Sequence, residues 1–163
     1  KKLYLIGGTM GIGKTAVCQR LKYVLPNTVF LDGDWCWDAN PFQVTEETKH
    51  MVLDNICHLL NNFIHCSAYD TILFCWVMHQ QSILDAILEK LDAANCTVTC
   101  ISLTADEESL KSRLALDIES SIRTPDTMEE SVSRLPLYQA LSTIKIDTSG
   151  KSIAEICDEI IHQ

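Results

Sequence analysis

The chain has 163 residues, of which 47% are hydrophobic and 21% are charged, and its formal net charge is −9. This composition is close to the globular average and excludes a disordered or fibrous chain, and the length fits one domain. An acidic surface of this size repels phosphate backbones, so we expect no nucleic-acid partner. One small anion can still bind in a locally positive pocket.

No stretch of the sequence reaches about 18 apolar residues without a charge, the length that crossing a bilayer requires. We therefore expect no membrane partner and a cytoplasmic location. The eight cysteines include no C-x-x-C pair, which disfavours a zinc ribbon or a thioredoxin-like site and favours buried thiols.

Strand-like and helix-like segments alternate along the chain. Apolar runs predict strands at 3–6, 28–31, 71–77, 97–103 and 144–147. Apolar residues at helical spacing predict helices at 14–24, 45–64, 83–91, from 104 onward and around 153–160. Strands separated by helices in this way predict one parallel sheet with helices on both faces.

Capping boxes, in which a Ser or Thr precedes a Glu by three residues, predict where three helices begin. The pairs with this spacing are Thr104 with Glu107, Thr127 with Glu130, and Ser152 with Glu155.

Residues 116–128 interrupt the alternation, because they carry charges, serines and Pro125 while their apolar content drops. We interpret the chain as a single domain, 1–163, with a mobile lid at about 116–128. An ordinary surface loop is the alternative interpretation.

The first strand is followed by a phosphate-binding pattern, G-x-x-x-x-G-K-[ST]. Its residues are Gly8, Thr9, Met10, Gly11, Ile12, Gly13, Lys14 and Thr15. The glycines allow the backbone N–H groups to point inward at a phosphate, and the next helix adds its positive N-terminus. Lys14 is expected to reach the β/γ-phosphates and Thr15 to bind Mg²⁺. The alternative is a glycine turn with an incidental lysine.

With this motif, the chain resembles the small P-loop kinases of the nucleoside-monophosphate-kinase type. Within that group it is most similar to the branch of gluconate kinases, adenylylsulfate kinases and chloramphenicol phosphotransferases. The resemblance implies an α/β three-layer sandwich whose five-stranded parallel sheet has the order 2-3-1-4-5. It also implies ATP and Mg²⁺ as cofactors.

Asp32-Gly33-Asp34 follows the second predicted strand, at the sheet edge where open α/β folds bind ligands. A carboxylate there can accept the proton of a hydroxyl group that receives a phosphoryl group. We predict Asp34 as the base or substrate anchor, and Asp32 as its orienting partner or as a metal ligand. The alternative is a turn in which both aspartates cap backbone groups.

Trp35 and Trp37 come directly after this turn. They are predicted to line a pocket for an apolar or ring-shaped substrate, although one of them can equally pack against the edge of the sheet.

Arginine forks match phosphate oxygens, and three of the four arginines lie in or beside the predicted lid. The resemblance places Arg113 against the nucleotide base or its phosphates, and Arg123 over the phosphates as a catalytic residue beside Lys14. It also places the loop of Asp147, Thr148 and Ser149 beside the base. Arg134 is interpreted as an exposed helix charge.

Between Lys22 and Lys90 the only basic residue apart from histidines is Lys49. A monophosphate acceptor would need cations there, so we predict an ATP-dependent kinase that phosphorylates a hydroxyl group of a small metabolite, nucleoside or antibiotic. The alternatives are a nucleoside monophosphate kinase, or a P-loop module that binds or hydrolyses nucleotide without kinase activity. We expect a monomer or a homodimer.

Overall fold

A computed structural model describes all 163 residues of the chain. Its elements are β1 (Lys2–Gly7), α1 (Lys14–Val24), β2 (Thr28–Asp32), α2 (Glu46–His65), β3 (Thr71–Trp76), α3 (Gln81–Lys90), β4 (Thr97–Thr104), α4 (Glu107–Glu119), α5 (Asp126–Arg134), β5 (Ile144–Asp147) and α6 (Ile153–Ile161). The strands form one sheet in the order β2-β3-β1-β4-β5, and every neighbouring pair is parallel. The predicted fold class and strand order are confirmed.

The sheet is covered on both faces, which explains its nearly continuous apolar strands. In β1, Tyr4 and Ile6 join a buried cluster with α1, α4 and α6, while Leu3 and Leu5 join a second cluster with α2 and α3. This alternation follows from the two-residue period of side chains along a strand. None of the helices combines the length and the apolar character that a membrane span needs.

The predicted start of α6 is confirmed. The hydroxyl of Ser152 accepts a hydrogen bond from the backbone N–H of Glu155, and the carboxylate of Glu155 accepts one from the N–H of Ser152 at 2.8 Å.

The other two predicted capping boxes are wrong. Thr104 is the last residue of β4, and α4 is capped instead by Asp106, whose carboxylate accepts a hydrogen bond from the N–H of Ser109 at 2.7 Å. Asp is at least as strong an N-cap as Thr, so the helix begins after Asp106. Thr127 lies inside α5, which follows Pro125 directly and has no side-chain cap.

The segment predicted as a lid forms a corner between two helices. It includes the last turn of α4, the connection at 120–125 and the first turn of α5. Leu116 and Ile122 in this corner are 63% and 70% exposed, so the corner contributes little to the core. Its function as a lid stays a prediction.

The turn between β1 and α1 packs directly on α4. Gly11 in this turn has φ +76°, and a Cβ atom there would lie 2.4 Å from Cδ2 of Leu114. Glycine is therefore needed both for the backbone conformation and for the close approach of α4.

Gly11→Ala is expected to lower the free energy of unfolding by about 2–5 kcal/mol, since left-handed backbone costs about 1–2 kcal/mol and overpacking about 1–3 kcal/mol. Urea unfolding measures this loss. The control is Gly150→Ala, because Gly150 has φ +66° but no atom within 4 Å of its Cβ position, so only the backbone cost applies. Equal losses in the two variants would contradict the packing argument.

Candidate active site

The phosphate-binding motif lies where the sequence predicts it, between the end of β1 and the start of α1. Gly8, Gly11 and Gly13 all have positive φ, which ordinary side chains rarely adopt. The turn leads directly into α1, so the positive end of the helix faces the space above it. The ammonium group of Lys14 donates a hydrogen bond to the carbonyl of Thr9 at 3.0 Å.

Asp32, the last residue of β2, and Asp34, two residues later, lie beside this turn. The hydroxyl of Thr15 donates a hydrogen bond to Oδ2 of Asp32 at 2.7 Å, and the backbone N–H of Asp34 donates to Oδ1 at 3.1 Å. Asp32 is buried and only 5% exposed, whereas Asp34 is accessible to solvent. The structure therefore brings Lys14, Thr15 and both predicted carboxylates together at the carboxyl edge of the sheet.

The charges of this cluster influence each other. Partial burial raises the pKa of Asp34 above its ordinary value, and the neighbouring carboxylate of Asp32 raises it further, while Lys14 opposes the shift. Burial lowers the pKa of Lys14, and the two carboxylates oppose that shift. Asp34 therefore binds protons more readily than an ordinary aspartate does, a property that suits a general base.

The donor set also fits a magnesium ion. A hydroxyl group and a carboxylate, from Thr15 and Asp32, lie within 2.7 Å of each other, and both are the hard oxygen ligands that Mg²⁺ prefers. Because Mg²⁺ usually keeps several waters and shares phosphate oxygens, two protein side chains are enough for such a site.

The predicted nucleotide-side residues form one connected network around Arg113. Its guanidinium group donates to the carbonyl of Ile12 at 3.2 Å and to the hydroxyl and carbonyl oxygens of Thr148 at 2.8 and 2.7 Å. Asp147 accepts hydrogen bonds from the N–H and hydroxyl of Ser149. Arg113 thus connects the phosphate-binding turn with the β5–α6 loop.

Arg123 lies in the α4–α5 corner and forms an ion pair with Asp117 at 3.0 Å. It is close enough to the phosphate-binding turn to lower the pKa of both Lys14 and Asp34. The structure therefore places this arginine on the same side as the predicted site. Arg134, in contrast, forms an ion pair with Glu130 on its own helix.

The two tryptophans that follow Asp34 have different aromatic neighbours. Trp35 is 56% exposed and packs edge-to-face on Phe30, with ring centroids 5.1 Å apart. Trp37 packs on Phe42 at 4.8 Å and on Trp76 at 5.9 Å. Sequence reasoning missed Trp76, which lies at the end of β3, the strand next to β2.

Sequence reasoning also missed Ser131, which connects α5 to the phosphate-binding turn. The fully buried Thr9 donates from its hydroxyl to the carbonyl of Ser131 at 2.8 Å, and the hydroxyl of Ser131 donates to the carbonyl of Met10 at 2.5 Å. These contacts join residues more than 120 positions apart, so no local pattern signals them.

Comparisons with known proteins identify a family and several relatives of this chain. A family model described as an AAA domain matches residues 5–133, which include the phosphate-binding turn and both carboxylates. Among curated relatives, a shikimate kinase from Dehalococcoides mccartyi is 27% identical over 94% of this chain and 88% of its own length.

Solved structures share the fold. A gluconokinase from Sinorhizobium meliloti superposes with a TM-score of 0.72 at 16% identity, over 99% of this chain and 90% of its own. A tunicamycin resistance protein from Deinococcus radiodurans has the same TM-score at 17% identity, over 100% of this chain and 95% of its own. At these identities the likeness shows the fold alone.

Ser131→Ala is expected to lower the free energy of unfolding by about 1–3 kcal/mol, because the carbonyl of Met10 loses its buried donor. Urea unfolding measures the loss. The control is Ser133→Ala on the same helix, whose exposed hydroxyl bonds only to the carbonyl of Glu130, and which should change stability by less than about 0.5 kcal/mol. A Ser131→Ala variant as stable as the control would show that the link contributes little.

Proposed function

The chain belongs to the AAA domain family, and from this premise we infer that it is an ATP-dependent kinase that transfers the γ-phosphoryl group to a hydroxyl group of a small molecule. The observation that carries this inference is the cluster of Lys14, Thr15, Asp32 and Asp34, in which Thr15 and Asp32 are 2.7 Å apart. The shikimate kinase that matches most of the chain supports the same reaction type.

The phosphate-binding turn, from Gly8 to Thr15, holds the phosphates with its backbone N–H groups, and Lys14 stabilises the charge that develops there. Thr15 and Asp32 would hold Mg²⁺, which would neutralise phosphate charge when bound. Arg113 keeps guanidinium donors that its bonds to Ile12 and Thr148 do not use, so it can contact the nucleotide beside Asp147, Thr148 and Ser149.

Asp34 orients the acceptor hydroxyl and accepts its proton, because it is solvent-accessible and has a raised pKa. Trp35 and Trp37 flank the acceptor. Arg123 completes the charge around the phosphates when the corner at 116–128 closes as a lid over the single domain, which excludes water from the transfer.

The eight free cysteines support a reducing compartment, and we assign the protein to the cytoplasm, where MgATP is available. We propose that it acts as a monomer or a homodimer, without a nucleic-acid or membrane partner.

Saturating MgATP is expected to raise the melting temperature of the parent protein by about 5–10 °C, since binding at about 100 times Kd adds roughly 2.7 kcal/mol of stability. Lys14→Ala should remove most of this rise. The matched control is Lys22→Ala at the other end of α1, which should keep it. No rise in the parent, or an equal rise in Lys14→Ala, would contradict the nucleotide site.

Asp34→Asn is expected to reduce kcat by about 10²–10⁴-fold, because the variant loses the base. The rise in melting temperature with MgATP should be retained, because the nucleotide site is unchanged. ADP formation with the best hydroxyl acceptor measures this. In the parent, kcat/KM should fall as acid protonates Asp34, at a pH above the ordinary aspartate value of about 3.9.

Asp38→Asn removes an exposed carboxylate from the same segment and should keep most of the activity and the acid limb of the pH profile. Full activity in Asp34→Asn, or an unchanged acid limb in its residual activity, would assign the base to another group.

A further inference from the structure

Trp76 lies against the turn that carries both carboxylates. A Cβ atom at Gly33 would lie 2.5 Å from Cγ and 2.6 Å from Cδ1 of the indole, so only glycine allows the ring to pack there. Gly33 directly precedes Asp34, so the ring lies beside the residue that carries this carboxylate. An aromatic ring therefore borders the group proposed to hold the acceptor hydroxyl.

This ring belongs to a continuous aromatic surface formed by Trp37, Phe42 and Trp76, here called the aromatic wall. Trp37 contacts the other two rings edge-to-face, at centroid distances of 4.8 and 5.9 Å. Phe42 is 56% exposed, and the two tryptophans are half-buried. Three rings with accessible surface beside a carboxylate form a concentrated apolar contact for a planar ligand.

Apart from Lys14 and Arg113, which the proposed mechanism assigns to the nucleotide, the helices α2 and α5 offer no unpaired lysine or arginine. On α2, Lys49 forms an ion pair with Glu46 at 2.8 Å, and on α5 Arg134 forms one with Glu130. His79, which follows β3, has a pKa that burial lowers, so it contributes no charge at neutral pH. An anionic acceptor would have to displace a carboxylate to gain Lys49 or Arg134 as a cationic partner, and it would also be repelled by Asp34.

We propose that the acceptor is a neutral alcohol with an aromatic ring, which packs on the aromatic wall while its hydroxyl group contacts Asp34. This inference rests on the proposed kinase function and specifies its substrate class. The hydroxyl oxygen bonds to the γ-phosphorus as the bond from that phosphorus to the β-phosphate oxygen breaks. The hydroxyl proton passes to Asp34, and ADP leaves.

The test compares alcohols in the presence of MgATP by ADP formation above the acceptor-free rate. One group contains neutral aromatic alcohols, namely nucleosides and aryl alcohols such as 2-phenylethanol. The other contains glycerol, which is neutral and has no ring, and the anions gluconate and shikimate. We expect kcat/KM for the best aromatic alcohol to be at least about tenfold higher than for glycerol, gluconate or shikimate. A difference of about tenfold is the size of effect that contact between aromatic rings produces.

Variants of the wall separate ring packing from loss of fold. Trp37→Ala should raise KM for the aromatic alcohol by roughly tenfold with a smaller change in kcat, and Trp37→Phe should restore much of the affinity. The control is Tyr23→Ala, which removes an aromatic side chain that is 81% exposed on α1 and should leave both constants unchanged. Thermal unfolding with MgATP verifies that each variant is folded.

Quenching of tryptophan fluorescence by the same alcohols, measured with a non-hydrolysable ATP analogue, reports binding independently of turnover. Equal or better turnover of gluconate, shikimate or glycerol overturns the substrate class and leaves the kinase function standing. An unchanged KM in Trp37→Ala, or no fluorescence response to any aromatic alcohol, also overturns it. Failure of the kinase function itself would appear separately. In that case MgATP would not raise the melting temperature, or it would raise it equally in Lys14→Ala.

Discussion

The phosphate-binding turn makes too few internal hydrogen bonds to fix its own shape. Within the turn, one long backbone bond runs from the N–H of Ile12 to the carbonyl of Thr9 at 3.4 Å, and the ammonium group of Lys14 donates to the same carbonyl at 3.0 Å. The rest of its support comes from other elements: Leu114 of α4 packs against Gly11, Arg113 bonds to Ile12, and Ser131 of α5 bonds to Met10. The N–H groups of the turn are therefore preorganised for an anion by side chains far away in the sequence.

The parallel sheet explains why the remaining groups meet at this turn. β3 lies between β2 and β1, and all three strands are parallel, so their carboxyl ends meet at one edge of the sheet. The lysine after β1, the carboxylates at the end of β2 and just after it, and the indole at the end of β3 thus come together without any long loop. This strand order allows Asp32 at the end of β2 to accept a hydrogen bond from Thr15 in the first turn of α1, the helix that follows β1.

Sequence alone predicts the features that depend on local pattern. The strands and helices follow from apolar periodicity, and the turn from Gly8 to Thr15 follows from its glycines. The predicted start of α4 is wrong because Thr104 is still part of β4, and Asp106, two residues later, caps the helix through the N–H of Ser109; short-range spacing does not distinguish the two starts. Ser131 and Trp76 could not be predicted, because their partners, Met10 and Gly33, are distant in the sequence and only the fold brings them into contact.

The hydrogen bond between Ser131 and Met10 couples the orientation of α5 to the rigidity of the phosphate-binding turn. A rotation of α5 that breaks this bond also loosens the turn, so a ligand that rigidifies the turn favours one orientation of α5. Such coupling is reciprocal. A second ligand that binds more tightly to that same orientation of α5 would strengthen nucleotide binding by the factor by which the nucleotide strengthens the binding of that ligand.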